Sequence, residues 1–244
     1  MSLLADRVAL VTGGSRGIGR AVALALAEAG AAVAVNYRER ADDARAVVDA
    51  VRSAGGRAMA IGADVSRSAE VSAMVAAVER ELGPVDVLVN NAGLAIIRGV
   101  DDLTEEDFDR TIAVNLKSAF LCTQAVIPTM RARKWGRIVN ISSGAARGAG
   151  GVGVHYNASK AGMEGLTRGY AARLVKDGIT VNAVSPSLIE TDMVRSGSLA
   201  SAASRIPLGR FGTAEECAQV VLMLVGNAYM TGQTVPLSGG LSFN

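Results

Sequence analysis

Val8-Ala9-Leu10-Val11-Thr12-Gly13-Gly14-Ser15-Arg16-Gly17-Ile18-Gly19 runs from a short apolar stretch through a glycine-spaced turn into a helix-like pattern that continues to Ala29. An unbroken apolar run suits a strand covered on both faces, whereas alternation would mark one wet face. Gly13, Gly17 and Gly19 permit a tight turn and let backbone approach a ligand. The helix that follows offers unpaired N–H groups and a partial positive charge, a ready site for phosphate. The spacing is G-x-x-x-G-x-G and not the familiar G-x-G-x-x-G, but the physics is shared. Gly13-Gly14-Ser15-Arg16-Gly17 also has the spacing of a hydrolase nucleophile elbow. Context excludes that reading: the turn follows the first strand, so nothing upstream supplies an oxyanion donor, and His155 is the only histidine.

The same alternation continues outward. Apolar runs at Val8–Thr12, Ala32–Asn36, Arg57–Ile61, Val85–Asn90, Arg137–Ser142, Thr180–Ser185 and Thr234–Leu237 read as strands. Gly17–Ala29, Arg40–Ala54, Ala69–Leu82, Glu105–Arg131, His155–Lys176 and Ala214–Val225 read as helices between them. This predicts an α/β fold: one Rossmann-like domain over residues 1–244, a doubly wound parallel sheet of about seven strands with helices on both faces. Such sheets bind ligands beyond the carboxyl ends of their strands. Gly13–Gly19, Asp64 and Val65, Asn91-Ala92-Gly93, Ser143, and Pro186 to Thr191 all follow strands, so they fall at one end of the sheet.

Composition narrows the classes. Half of the 244 residues are hydrophobic and the formal charge is +2. A nucleic-acid binder needs a basic stripe, and none is present. Arg131-Ala132-Arg133-Lys134 reads as a solvated helix end. Cys122 and Cys217 sit in apolar helical runs and read as core residues in a reducing compartment. No Cys/His cluster suggests a metal. The start is no signal peptide, and the apolar run Ala21 to Val35 falls short of the ~20 residues that span a bilayer. A cytoplasmic location is expected.

The tip of the second strand, Asn36-Tyr37-Arg38, carries no acid to bind an adenosine ribose 2′-hydroxyl. Arg16 and Arg38 can face a 2′-phosphate instead. NADP(H) is therefore expected over NAD(H), with Glu39 as the residue that works against it.

Tyr156 and Lys160 lie one above the other on a helix. A phenol of pKa near ~10 must come down by up to ~3 units to exchange protons near neutrality. One ammonium at about 4 Å supplies an interaction of that order at an effective dielectric near 20. Ser143 ends the fifth strand, and the Gly/Ala-rich segment Gly144–Val154 can fold back to bring the helix start beside it. Its hydroxyl can donate to a substrate oxygen as charge develops there. Ser142 points to the other face. Asn115 is an amide in an apolar helix and wants a partner; a water shared with Lys160 is one.

Thr12-Gly13…Gly17-Ile18-Gly19, Asn90-Asn91-Ala92-Gly93, Asn115, Ser143, Tyr156-Asn157-Ala158-Ser159-Lys160 and Pro186…Ile189-Glu190-Thr191-Asp192 together resemble the short-chain dehydrogenase/reductase family, from Arg7 to Leu241. The resemblance implies Tyr156 as acid/base, Lys160 tuning it and holding the nicotinamide ribose, Ser143 orienting the carbonyl and Asn115 anchoring a relay water. It implies that Asp64 and Val65 border the adenine, that Asn91 and Gly93 line the cleft beside Ala92, and that Pro186, Ile189 and Thr191 lie at the nicotinamide. Within the family the chain is most similar to 3-oxoacyl-(acyl-carrier-protein) reductases. That implies a small carbonyl or alcohol substrate, thioester-linked or free, a substrate lid at about residues 192–208, and a homotetramer. Small residues Ala158, Ala161, Gly162 and Gly165 would let a partner helix approach, and core packing explains them as well. Arg133 and Lys134 are candidates to dock an acidic acyl carrier protein. Ser187 departs from the family's glycine, and Val194 to Ile206 is short. An NAD(H)-linked alcohol or sugar dehydrogenase, or an idle dinucleotide sensor, are the competing readings.

Overall fold

β1 (Val8–Val11), β2 (Ala32–Tyr37), β3 (Ala58–Gly62), β4 (Val87–Asn90), β5 (Gly136–Ile141), β6 (Ile179–Pro186) and β7 (Thr234–Leu237) form one sheet in the order β3-β2-β1-β4-β5-β6-β7. Every pairing is parallel. The computed structural model describes residues 2–190 and 203–243. The intervening helices are α1 (Gly17–Glu28), α2 (Ala41–Ser53), α3 (Ser68–Glu81), α4 (Glu105–Ile112), α5 (Ser118–Ala132), α6 (Val154–Leu174) and α7 (Ala214–Gly226).

The strands β1 to β6 each feed two cores by their pleat. On β1, Ala9 and Val11 join a cluster with Val22 and Leu26 of α1, Val47 of α2 and Val221 of α7. Val8 and Leu10 join the opposite cluster, with Val75 of α3, Cys122 of α5 and Leu174 of α6. Coverage on both faces is why the strands read as unbroken apolar runs. The chain moves outward from β1 through β2 to β3, then crosses back to β4 on the other side of β1. The crevice at that reversal opens between the ends of β1 and β4.

Strand bounds differ from the sequence reading by two residues or fewer. One helix differs more. Glu105–Arg131, expected as a single helix, is broken by a π-helical stretch, Ala113–Lys117. The wider turn carries Asn115, fully buried, whose side-chain oxygen accepts from Leu94 N–H (2.8 Å) and whose amide donates to Leu94 O (3.0 Å). Single π turns of this kind are frequent at functional sites.

Candidate active site

The glycine turn is held by the side chains of buried Thr12 and Asn36 and half-buried Asn91. Thr12 Oγ1 accepts from the backbone N–H groups of Asn91 and Ala92, both at 3.0 Å. Asn91 Nδ2 donates to the carbonyls of Thr12 and Gly13, both at 2.9 Å. Asn36 Oδ1 accepts from Gly13 N–H, while its amide reaches the carbonyls of Tyr37, Ile61 and Ala63. Asn36 and Asn91, both expected at the cofactor cleft, thus brace its backbone with their side chains. Gly19 is required by contact: a Cβ there would lie 2.3 Å from Gly13 O and 2.4 Å from Asn91 Nδ2. Gly13 and Gly17 take positive φ, +61° and +52°. Ser15 is buried and Ile18 half-buried in the turn, Arg16 is the N-cap of α1, and no side chain caps the first turn of that helix. No acid lies in that turn either, so its N–H groups suit a pyrophosphate. The cradle fits a dinucleotide.

Arg38, at the tip of β2, is engaged by Glu39, whose Oε1 accepts from both Nε and Nη2. After β3, burial raises the Asp64 carboxyl. Two hydrogen bonds from Ser66, with Arg38 and Arg67 nearby, outweigh it and hold the group below its ordinary value. Asp64 N–H donates to Glu70 Oε2 at 2.8 Å, and Val65 is buried. Gly93 lies beside Asn115 Oδ1 and Lys160 Nζ, 3.4 and 3.7 Å from where its Cβ would be. Pro186 ends β6. Ile189 is buried, with its side chain packed where a Cβ on Gly212 would clash. Thr191 and the expected lid up to residue 202 lie outside the described residues.

Ser143, Tyr156 and Lys160 converge at the carboxyl edge of β5. Ser143 lies two residues past β5 and opens a 3₁₀ turn, Gly144–Ala146, with its Oγ accepting from Ala145 N–H. The Ser143 side chain also lies beside the Tyr156 hydroxyl and favours its ionised form. Ser142 faces the other way as expected, donating to Lys160 O at 3.2 Å. Lys160 is buried; its Nζ donates to Ile141 O at 2.8 Å and stands 5.7 Å from the Tyr156 ring centroid. Burial lowers Lys160 to about 8. Burial raises the Tyr156 phenol, and the Ser143 hydrogen bond only partly opposes it. This corrects the expectation of a phenol acidified by its neighbour. Asn115 Nδ2 donates to Ser159 Oγ at 3.2 Å, one residue before Lys160.

A model of the family described as short chain dehydrogenase matches residues 7–201. The chain is 41% identical over 244 residues to a 3-oxoacyl-[acyl-carrier-protein] reductase of Synechocystis, covering 99% of both chains. A reductase of that name from Staphylococcus epidermidis is 42% identical over 243 residues, covering 97% of this chain and 99% of the relative. An uncharacterized oxidoreductase of Escherichia coli is 41% identical over 244 residues, covering 96% and 99%. A solved double mutant of a Serratia marcescens short-chain dehydrogenase/reductase superposes with a TM-score of 0.90 at 40% identity, covering 97% of this chain and 98% of that one. The chain belongs to the short-chain dehydrogenase family.

As a short-chain dehydrogenase it is an oxidoreductase acting on C=O and CH–OH groups with a nicotinamide dinucleotide. Other expectations meet the structure unevenly. Arg131 and Lys134 pair with Asp177 (2.6 and 3.0 Å), and Arg133 pairs with buried Asp86 (3.0 Å). Within one chain that cluster lies at the amino edge of the sheet, opposite Ser143, which removes it from the mouth of the cleft. Gly162 packs inward, since a Cβ there would meet Leu116 at 2.7 Å; Ala158, Ala161 and Gly165 are exposed. Cys122 and Cys217 are buried thiols, each pushed up to about 12 by burial. Among the described residues there is no metal-binding cluster, and no helix is long and apolar enough to cross a membrane. Two elements escaped the sequence reading: the Thr12 clamp, and an ion pair from Arg147 to buried Glu164. Thr12 was visible as the last residue of its strand, but nothing local links Arg147 to Glu164.

Proposed function

We propose that this short-chain dehydrogenase is an NADPH-dependent reductase of a 3-oxoacyl thioester or related ketone, with Tyr156 as general acid/base. The observation that carries the reading is the meeting of Ser143, Tyr156 and Lys160 beside the braced glycine turn. The bound dinucleotide supplies the hydride. Tyr156 donates its phenolic proton to the carbonyl oxygen as charge develops there. Ser143 donates a hydrogen bond to that same oxygen. Lys160 keeps two ammonium donors beyond the one given to Ile141, enough to hold ribose hydroxyls. Gly13, Ser15, Arg16, Gly17, Ile18 and Gly19 would hold the pyrophosphate, and Arg16 and Arg38 a 2′-phosphate. The relatives named as 3-oxoacyl-[acyl-carrier-protein] reductases support the thioester class. A ~260 Å³ cavity beside the Ser143 turn, lined in part by Gly144, Ser185 and Ser187, gives Ser187 a place in shaping the substrate.

The Arg38–Glu39 contact favours a second reading, NADH-linked alcohol oxidation. A spectrophotometric panel separates the two: acetoacetyl thioesters, diketones and aryl ketones with NADPH and with NADH, and alcohols with the oxidised forms. Faster reduction of the thioester with NADPH supports the first reading; turnover confined to NAD and alcohols sinks it. A homotetramer is part of the proposal, supported by exposed Ala158, Ala161 and Gly165 on α6, and light scattering of the purified protein tests it.

A further inference from the structure

The turn after Ser143 is fastened to α6 at two places. Next to Tyr156, Asn157 Nδ2 donates to the carbonyls of Gly148 (2.9 Å) and Ala149 (2.7 Å). Two turns further along, Glu164 Oε2 accepts from Arg147 Nε at 3.0 Å. Glu164 is 4% exposed, and its other oxygen is buried without a hydrogen-bond partner. A half-satisfied buried carboxylate is a poor stabiliser, and an aliphatic side chain of similar volume often serves packing as well or better. Its place is informative: residues 156, 160 and 164 share one face of α6.

We propose that the Arg147–Glu164 ion pair is a positioning device for the reaction, holding the turn against α6 so that the Ser143 hydroxyl meets the Tyr156 hydroxyl. The proposal rests on Tyr156 being the acid/base of the proposed function. The turn is tied together internally. It is closed by Ala145 N–H to Ser143 Oγ (3.2 Å), Ala146 N–H to Ser143 O (2.9 Å) and Gly148 N–H to Gly144 O (3.0 Å). A displacement of Arg147 is therefore expected to reach Ser143, four residues earlier. Ser143 from the turn and Lys160 from α6 face the phenol, while the His155 ring is engaged by Ile96 O at 3.0 Å. The Ser143 bond is what pulls the phenol down against burial. Loosening the turn should slow turnover and move the phenol's titration upward, with dinucleotide binding unchanged.

Arg147→Met, Arg147→Lys and Glu164→Gln test this. The measurements are kcat, the Kd of NADPH, the melting temperature and the near-ultraviolet titration of phenolate in the dinucleotide-free protein. The Tyr156 share of that titration is isolated by subtracting Tyr156→Phe in the same background. Arg147→Met and Glu164→Gln should lower kcat about tenfold, the scale of a small misplacement, and titrate Tyr156 at higher pH with Kd unchanged. Arg147→Lys should restore part of both effects. A lower melting temperature with kcat and the Tyr156 titration unchanged overturns the proposal and leaves a structural ion pair. If Glu164→Gln does not fold, the two Arg147 variants decide by the same outcomes. If Tyr156→Phe keeps its turnover, the acid/base reading fails, while the titration still reports on the pair.

Discussion

The Lys160 ammonium lies 5.7 Å from the centroid of the Tyr156 ring and gives a hydrogen bond to Ile141 O, not to the phenol. Desolvation acts on both groups in the direction of neutrality, raising the phenol and lowering the lysine to about 8. Burial is the largest influence on each group. Ser143 favours the phenolate in the free protein and partly offsets burial. A protonated phenol at neutral pH is the form a reductase needs, because its task is to give a proton.

Tyr156→Phe removes the proton donor and keeps the ring. Turnover should fall by at least about two orders of magnitude, the scale of a positioned acid/base, while NADPH binding is retained. Initial rates and fluorescence titration of NADPH check the two halves. Turnover comparable to wild type would remove Tyr156 from the acid/base role.

Gly19→Ala places a Cβ 2.3 Å from Gly13 O and 2.4 Å from Asn91 Nδ2. Both atoms belong to the braced crevice, so neither moves freely. Overpacking of this kind costs about 1–3 kcal/mol, and here the strain falls on the phosphate turn. Dinucleotide affinity should drop with a modest loss of melting temperature. Unchanged affinity would mean that the turn yields and the bracing by Asn91 is weak.

The fold was legible because coverage on both faces writes each strand as an unbroken apolar run, as in Val33 to Val35 and Val87 to Val89. The site was legible where spacing is local, as for Tyr156 and Lys160. The π stretch at Ala113–Lys117 was not, because one extra residue in a turn barely disturbs helical periodicity. The bracing bonds of the Asn36 and Asn91 side chains left no sign in the sequence: an amide at a strand end looks the same there whether it faces a ligand, braces the backbone or does both. The pairing of Arg131 and Lys134 with Asp177, and of Arg133 with Asp86, joins residues more than 40 apart and leaves no local pattern.

Arg38 and Glu39 make NADPH binding a competition. Both Nε and Nη2 of Arg38 donate to Glu39 Oε1, so a 2′-phosphate would share Arg38 with a carboxylate that repels it. Arg38→Ala should weaken NADPH far more than NADH. Glu39→Gln should tighten NADPH several-fold and leave NADH unchanged. Calorimetric titration of both dinucleotides checks this; equal losses on Arg38→Ala would show that Arg38 does not read the 2′-position.

Lys160 links the site to stability. Its folded pKa, about 8, lies below the ordinary 10.5. Between those values the unfolded chain holds a proton that the folded chain has shed, and stability rises with pH wherever the unfolded state binds more protons. The cost of burying the ammonium is therefore full below about pH 8 and fades as the pH approaches 10.5. Its size at neutral pH is about 3 kcal/mol, at 1.36 kcal/mol per pKa unit. Lys160→Met removes that cost but leaves Ile141 O without its donor, which returns about 1–3 kcal/mol. The firm expectation is the pH dependence: relative to wild type, Lys160→Met should be most favourable at neutral pH and lose ground toward about pH 10. Urea unfolding of both proteins at the two pH values measures the difference. A difference that does not change with pH would mean that the lysine is not held below its ordinary pKa.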